Sequence, residues 1–334
     1  MKSPTVSSLA ELAKLAGVSA STVSRSLAGN PMIAEATRTR ITQLAAEHGF
    51  QINQSARNLR LKRTGAIGVV LPLGHETAQH LSDPFFMSLI GPLADALAGR
   101  GYDMLLSRVI PANDRWLDEI VGSGRVDGIL LIGQSDQIDV IEQTARRYAP
   151  IVVWGAHVDG YTQVTVGSDN VAGGRIAAEH LIAQGRRNLA FFGNPDVPEF
   201  ADRWKGFRTA ANKAGLDEPL LLPTHLTTEA SRDAIGAFLA KKPLVNGIAA
   251  ASDVIAMSAL QALSDVGLHV PADVAIIGYD DVMVASQTTP PLTTIRQDVA
   301  RGAALMVDLL FEKLAGRAAD SVVMQPALVH RASA

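Results

Sequence analysis

From Gly65 onward, apolar runs of strand length alternate with amphipathic stretches of helix length, and few architectures satisfy that alternation. The runs are 66–71, 104–109, 128–132, 151–154, 189–192, 247–250 and 274–277, with a weaker one near Val164. Unbroken apolar strands are buried on both faces, and helical crossovers between them impose parallel pairing. The unit occurs on both sides of the weak strand, and 334 residues exceed the roughly 250–300 at which one core stops growing. This predicts an α/β core of two doubly wound parallel-sheet subdomains. Ligands of such sheets lie beyond the carboxyl ends of the strands. That rule selects Gln134 and Trp154, which end strands, Asp253 and Asp280, which follow them, and a long loop over 72–84 closed by Asp83-Pro84-Phe85-Phe86. An aromatic ring at Phe85 or Phe86 can stack on a sugar face or a flat base, and helix core explains one of the two equally well. Asp253 also reads as a cap on the helix over 254–264.

The first 63 residues have a different character. They carry nine basic and three acidic residues, a balance of +6 against −9 for the rest of the chain. A basic head on an acidic body is the footprint of a polyanion-binding module. In SSLAELAKLAGVSASTVSRSLA, Ser7 or Ser8 caps a helix that buries Leu9, Leu12, Ala13 and Ala16. Gly17 turns the chain and Val18 plugs the gap. Ser19 caps a second helix, 20–28, with Val23 and Leu27 inward, and a third spans about 35–48 with Ile41, Leu44 and Ala45 inward. Two short helices about a glycine turn form the helix-turn-helix unit, whose second helix enters a DNA major groove. Ser19, Thr22 and Ser24 carry hydroxyls suited to phosphates. Arg25 can fork onto guanine, and a phosphate contact or a solvated surface is its alternative role.

Several functions are disfavoured. There are no cysteines, so disulfides and thiolate sites are absent, and none of the eight histidines has a metal-ligand spacing. Gly167, Gly173 and Gly174 form no phosphate-cradling loop. Asp280 and Asp281 are adjacent and point apart, so no acid–base pair is visible. No catalytic residue, metal or cofactor is expected. No apolar run reaches the roughly 18 residues that cross a bilayer, and Glu11 and Lys14 interrupt any signal-peptide core. A cytoplasmic protein without a membrane partner is expected.

The segments LAKLAGVSASTVSRSL, TRTRITQLAAEHGF and NQSARNLR stand in the order and spacing of the LacI/GalR family of bacterial regulators, and the first 60 residues resemble that family's DNA-binding head. TGAIGVVLP, DPFF, VDGILLIG, DNVAGGRIAAEHLIAQG, RWKGF, AASDVIAMSAL, VPADVAIIGYDD and PPLTTIRQD extend the resemblance over practically the whole chain. It implies a helix-turn-helix domain over 1–52, a hinge helix over 53–64 and a periplasmic-binding-protein-like core over 65–334. Within that core, one subdomain is expected over about 65–162 plus 294–321 and the other over about 163–293 plus 322–334.

The resemblance further implies Ala20, Ser21 and Arg25 in the major groove, Arg57 on the backbone, and Ala56 with Leu59 in the minor groove, Leu59 as a wedge between base pairs. It implies Phe85, Phe86, Arg203 and Asp280 around a small effector. Leu226 stands where relatives often carry a stacking aromatic, which leaves the effector's identity open. The expected partners are pseudo-palindromic double-stranded operator DNA, a second copy of the chain, and a small molecule. The last segment, PALVHRASA, adds no leucine heptad, so a homodimer is expected. The expected function is a sequence-specific repressor of carbohydrate-use genes controlled by a sugar in the cleft, nucleoid-associated when on its operator. A purine corepressor or a protein partner is the alternative within regulation, and a transporter's solute-binding protein the alternative outside it.

Overall fold

The computed structural model describes residues 6, 8–50, 63–74 and 76–334. Contacts divide the chain into two compact units, Met1–Thr64 and Gly65–Ala334. In the first, helices α1 (Leu9–Ala16), α2 (Ala20–Leu27) and α3 (Glu35–Glu47) enclose a small core. Leu12, Val23 and Ile41 are fully buried, and Val18, Leu27 and Leu44 pack against them. Of the two candidate caps for α1, Ser8 accepts the Glu11 N–H at 3.2 Å; Ser7 lies outside the described residues. Ser19 caps α2 through the Thr22 N–H at 3.1 Å. Gly17 sits at φ 64°, the left-handed conformation in which a Cβ is costly, and so ends α1 sharply. Arg40 Nη2 donates to the Ala16 carbonyl at 2.7 Å and fastens α3 to that end.

Among its described residues the second unit holds two six-stranded sheets. The first contains β1 (Ala66–Pro72), β2 (Asp103–Val109), β3 (Gly128–Ile132), β4 (Ile151–Trp154), β5 (Val164–Ser168) and β11 (Val322–Met324), ordered β2-β1-β3-β4-β5-β11. All its pairings are parallel. The second contains β6 (Leu189–Phe192), β7 (Leu220–Leu222), β8 (Gly247–Ala250), β9 (Ala275–Asp280), β10 (Thr293–Arg296) and β12 (Ala327–Val329). Its order, β7-β6-β8-β9-β10-β12, repeats that of the first, and only β12 runs antiparallel.

Side-chain alternation explains why both faces are covered. On one face of the first sheet, Ile67, Val69, Leu71, Leu130, Ile132 and Val152 pack under α4 (Pro84–Gly99) and α11 (Val299–Leu314). On the other, Val70, Ile129, Leu131, Ile151 and Val153 meet α5 (Trp116–Gly122) and α6 (Ile138–Ala145). Helices α7 (Asn170–Ala183), α8 (Pro198–Lys213), α9 (Thr228–Ala240) and α10 (Asp253–Asp265) clothe the second sheet.

The subdomain boundaries differ from those expected at 162, 293 and 321. β5 pairs with β4 in the first sheet, β10 with β9 in the second, and β11 with β5 in the first. The chain therefore changes sheets after Ser168, after Arg296 and between Met324 and Ala327. Strands of three to five residues show that they are strands but not which edge they join. β9 also runs on through Asp280, which ends the strand rather than following it.

Candidate functional site

On the head, Ala20, Ser21 and Arg25 are exposed along one side of α2, and Thr22 and Ser24 are half-buried beside them. The Ser19 hydroxyl lies 2.8 Å from that of Ser21 and 2.9 Å from that of Thr22, so three hydroxyls cluster at the start of the helix. A helix N-terminus ringed by hydroxyls suits a phosphate, and Arg25 lies one turn further along. Ala56, Arg57 and Leu59 lie outside the described residues.

In the core, the carboxyl ends of both sheets face a cavity of about 100 Å³. Leu73 and Trp154 reach it from the first sheet, and Ser252, Asp280 and Gln297 from the second. The aromatic wall consists of Phe85 and Phe86, with ring centres 6.2 Å apart, and Trp154, 6.0 Å from Phe85. Asp83 caps α4 by accepting the Phe85 N–H at 2.9 Å, and its other oxygen accepts Gln79 Nε2 at 2.9 Å. The Asp-Pro pair starts the helix here and aims both phenylalanines. The loop that carries Gln79 is held by Arg108, which donates to the carbonyls of Thr77 and Gln79. His225 Nδ1 lies 3.1 Å from Glu76 Oε2 and joins this loop to the second subdomain.

Arg203 projects from α8 and is 5% exposed. Its Nε donates to Asn170 Oδ1 at 2.9 Å and its Nη1 to the Ala251 carbonyl, while the guanidinium lies 3.6 Å from the Tyr279 ring centre. This clamp fixes the guanidinium plane and leaves other N–H groups for an oxygen ligand. Asp280 is 7% exposed and accepts Gln297 Nε2 at 2.7 Å. Burial pushes its carboxyl up to about 7, with Arg203 and Gln297 opposing and Asp83 adding to the rise. Its φ of 117° is rare for a residue with a Cβ, and Ser135, also on the cavity wall, has φ 52°. Such conformations concentrate at ligand sites. The adjacent Asp281 accepts Arg296 Nε at 2.6 Å and Arg331 Nη2 at 2.5 Å, so it braces the turn.

Residues 8–53 match the family model described as bacterial regulatory proteins, lacI family, and residues 178–334 match a periplasmic binding protein-like domain. The transcriptional regulator CelR of Thermobifida fusca is 32% identical over 320 residues, which covers 93% of each chain. The chain belongs to the lacI family. A solved CelR–cellobiose complex superimposes with a TM-score of 0.72 at 29% identity over 98% of this chain and 99% of that one. The lac repressor dimer bound to operator and the anti-inducer ONPF shares the fold at a TM-score of 0.84 and 23% identity, covering 99% of each chain. This lacI-family chain is thus a DNA-binding transcriptional regulator and not an enzyme. No described helix is long and apolar enough to cross a membrane, and no group of three or more His, Asp or Glu among the described residues is placed to hold a metal.

Of the effector residues expected from sequence, Phe85, Phe86, Trp154, Arg203 and Asp280 come together on the lacI-family cavity wall, and Leu226 joins them. Gln134 does not. It is fully buried, and its amide donates to the Ala156 carbonyl at 3.0 Å and accepts the Ala156 N–H at 2.9 Å, so both ends are engaged with backbone. Asp253 is neither a cavity residue nor the cap. Ser252 caps α10, while the Asp253 carboxylate accepts Thr294 Oγ1 at 2.6 Å and the Val282 N–H at 2.9 Å, which fixes the turn after Asp280. The wall also includes Gln79 and Asp83, from the loop over 72–84 that the sequence singled out as a whole, and Ser135, Glu199 and Gln297, which were not expected. Asp83 had a signal in its Asp-Pro cap. The others sit on loops or first turns whose facing only the tertiary fold decides.

Proposed function

We propose that this regulator represses carbohydrate-use genes and that a small sugar bound in the cavity sets its operator affinity. The observation that carries the reading is that Arg203 and Asp280 line one cavity with the rings of Phe85, Phe86 and Trp154. A sugar offers apolar ring faces to aromatics and hydroxyls that both donate and accept, so it matches a fixed guanidinium and a carboxylate at once. The cellobiose in the CelR complex supports this chemistry. Binding that favours one closure of the two subdomains shifts the operator-competent population, and the coupling is reciprocal.

On the DNA side, Arg25 reads a guanine, Ala20 and Ser21 offer a methyl and a hydroxyl to base edges, and Ser19, Thr22, Ser24 and Arg57 hold phosphates. Leu59, with Ala56, enters the minor groove as a wedge. A homodimer places two heads on a pseudo-palindromic site, in the cytoplasm at the nucleoid. Arg25→Ala removes about 1–3 kcal/mol of discrimination at one base pair. Affinities for operators substituted at each position will show one flattened position, whereas unchanged preferences assign Arg25 to a phosphate.

The effector reading is tested by thermal shift of the full chain against mono- and disaccharides, followed by operator gel shifts with any ligand found. A stabilising sugar that also changes operator affinity supports it. One observation favours purines as a second reading: Gln79, Gln297 and Asp83 supply the amides and carboxylate that a nucleobase edge requires. Both amides already donate to Asp83 and Asp280, which places the sugar first. Stabilisation by purines alone reverses that order.

A further inference from the structure

The N-termini of three helices, α4, α8 and α10, open on the cavity, since Phe85 and Phe86, Glu199 and Phe200, and Ser252 and Val254 all line it. A helix N-terminus carries partial positive charge and unbonded N–H groups, so three of them converging make a natural phosphate or carboxylate site. Here each end already has its own acceptor or acid. Asp83 caps α4. Glu199 lies in the first turn of α8. Ser252 caps α10, and the buried Asp253 occupies that helix's first turn. The ends that attract anions are filled by the protein.

The charged side chains on the wall add to this. Among the described residues they are Asp83, Glu199 and Asp280 against the single cation Arg203, which is itself bonded to Asn170 and the Ala251 carbonyl. Burial is the first cause that raises each of the three carboxyls; a neighbouring carboxylate adds to the rise only at Glu199, from Asp202, and at Asp280, from Asp83.

We infer that this pocket excludes anions: it admits uncharged and amino-bearing sugars, turns away sugar phosphates and sugar acids, and owes that selectivity to Asp83 and Glu199. The choice of sugars rests on the effector reading above; the exclusion of anions rests on the filled helix ends and the acidic wall, whatever the sugar.

Two arms of one calorimetric and thermal-shift experiment on the full chain separate these. In the first, mono- and disaccharides are titrated alongside their 6-phosphates and uronic acids. The neutral member of a pair is expected to bind, with its anionic counterpart at least about tenfold weaker. An anionic member that binds as tightly as the neutral one, or more tightly, overturns the inference and leaves the sugar reading intact. In the second arm, inorganic phosphate is added at constant ionic strength to wild type, Glu199→Gln and Asp83→Asn with Glu199→Gln. Wild type is expected to show no phosphate-dependent stabilisation and the variants to gain it. Equal stabilisation of wild type and variants overturns the inference. Silence of every sugar in the first arm, with phosphate stabilising only the variants in the second, removes the sugar reading and upholds the exclusion. Glu199→Gln keeps the Asp83 cap, so this arm survives if the double variant fails to fold.

Discussion

Gly206→Ala lowers the stability of the core by about 3 kcal/mol or more and displaces Arg203 from its clamp. Helices α7 and α8 touch through glycines. A Cβ on Gly206 would lie 1.9 Å from the Val171 carbonyl oxygen, and one on Gly174 would lie 1.8 Å from that of Arg203. Both obstacles are backbone, so no side chain can swing aside and the helices must separate. Overpacking usually costs about 1–3 kcal/mol where side chains can adjust, and this contact has no such relief. Arg203 stands one turn before Gly206, and Asn170, which accepts its Nε, begins α7. Separation therefore pulls the guanidinium off its partner, so effector affinity falls together with stability. For a unit of this size the melting midpoint drops by roughly 6–12 °C, read by calorimetry. Gly236→Ala in α9 is the control. Nothing lies within 4 Å of a Cβ there, so the better helix former is neutral or stabilises by up to about 1 kcal/mol. Equal melting of the two variants removes the argument for close helix approach.

That glycine pair marks where the sequence stops being informative. Gly173 and Gly174 stand out in DNVAGGRIAAEHL, where sequence says only that they build no phosphate loop, and Gly206 in RWKGF drew no reading of its own. Their use, against Tyr279 and two carbonyls, exists only after the helices meet. Strands over 128–132, 151–154, 189–192 and 247–250 were legible to the residue because an unbroken apolar run is a local signal. The three helices described in the head were legible because caps and spacing are local too. The membership of β5, β10 and β11 was not, since a short strand joins whichever edge the fold leaves open. The same distinction separates Arg203 and Asp280, carried by matching motifs, from Gln134 and Asp253, which share the strand-end position. Only the positions of Ala156 and Thr294 reveal that their polar atoms are already engaged.

The ligand-free core loses stability as pH rises from about 4 to 7, and Asp280→Asn removes much of that slope. The Asp280 carboxyl is pushed up to about 7 from 3.8, by burial first and against the opposing pull of Arg203 and Gln297. Below about 4 both folded and unfolded chains hold the proton. Between 4 and 7 the folded chain keeps it and the unfolded chain releases it, so stability declines with pH, and above 7 the loss is complete. At 1.36 kcal/mol per unit the decline is of the order of 4 kcal/mol. Asp83, Glu199, Asp202 and Asp253 are also raised, each by burial first, and tilt the profile the same way. Glu142 works against them. Burial resists its ionisation, but N–H groups of Thr162 and Gln163 together with Arg146 outweigh it, so its share is lost as pH falls. In Asp280→Asn the amide oxygen still accepts the Gln297 N–H, and the titration is gone. Urea unfolding at pH 5, 6, 7 and 8 reads the difference, and parallel profiles for wild type and variant would assign the slope to the other carboxyls. A neutral ligand whose hydroxyls donate to Asp280 favours the ionised form. It therefore binds with release of a proton below pH 7, seen as a buffer-dependent binding enthalpy, and its affinity rises with pH over the range in which the empty core weakens.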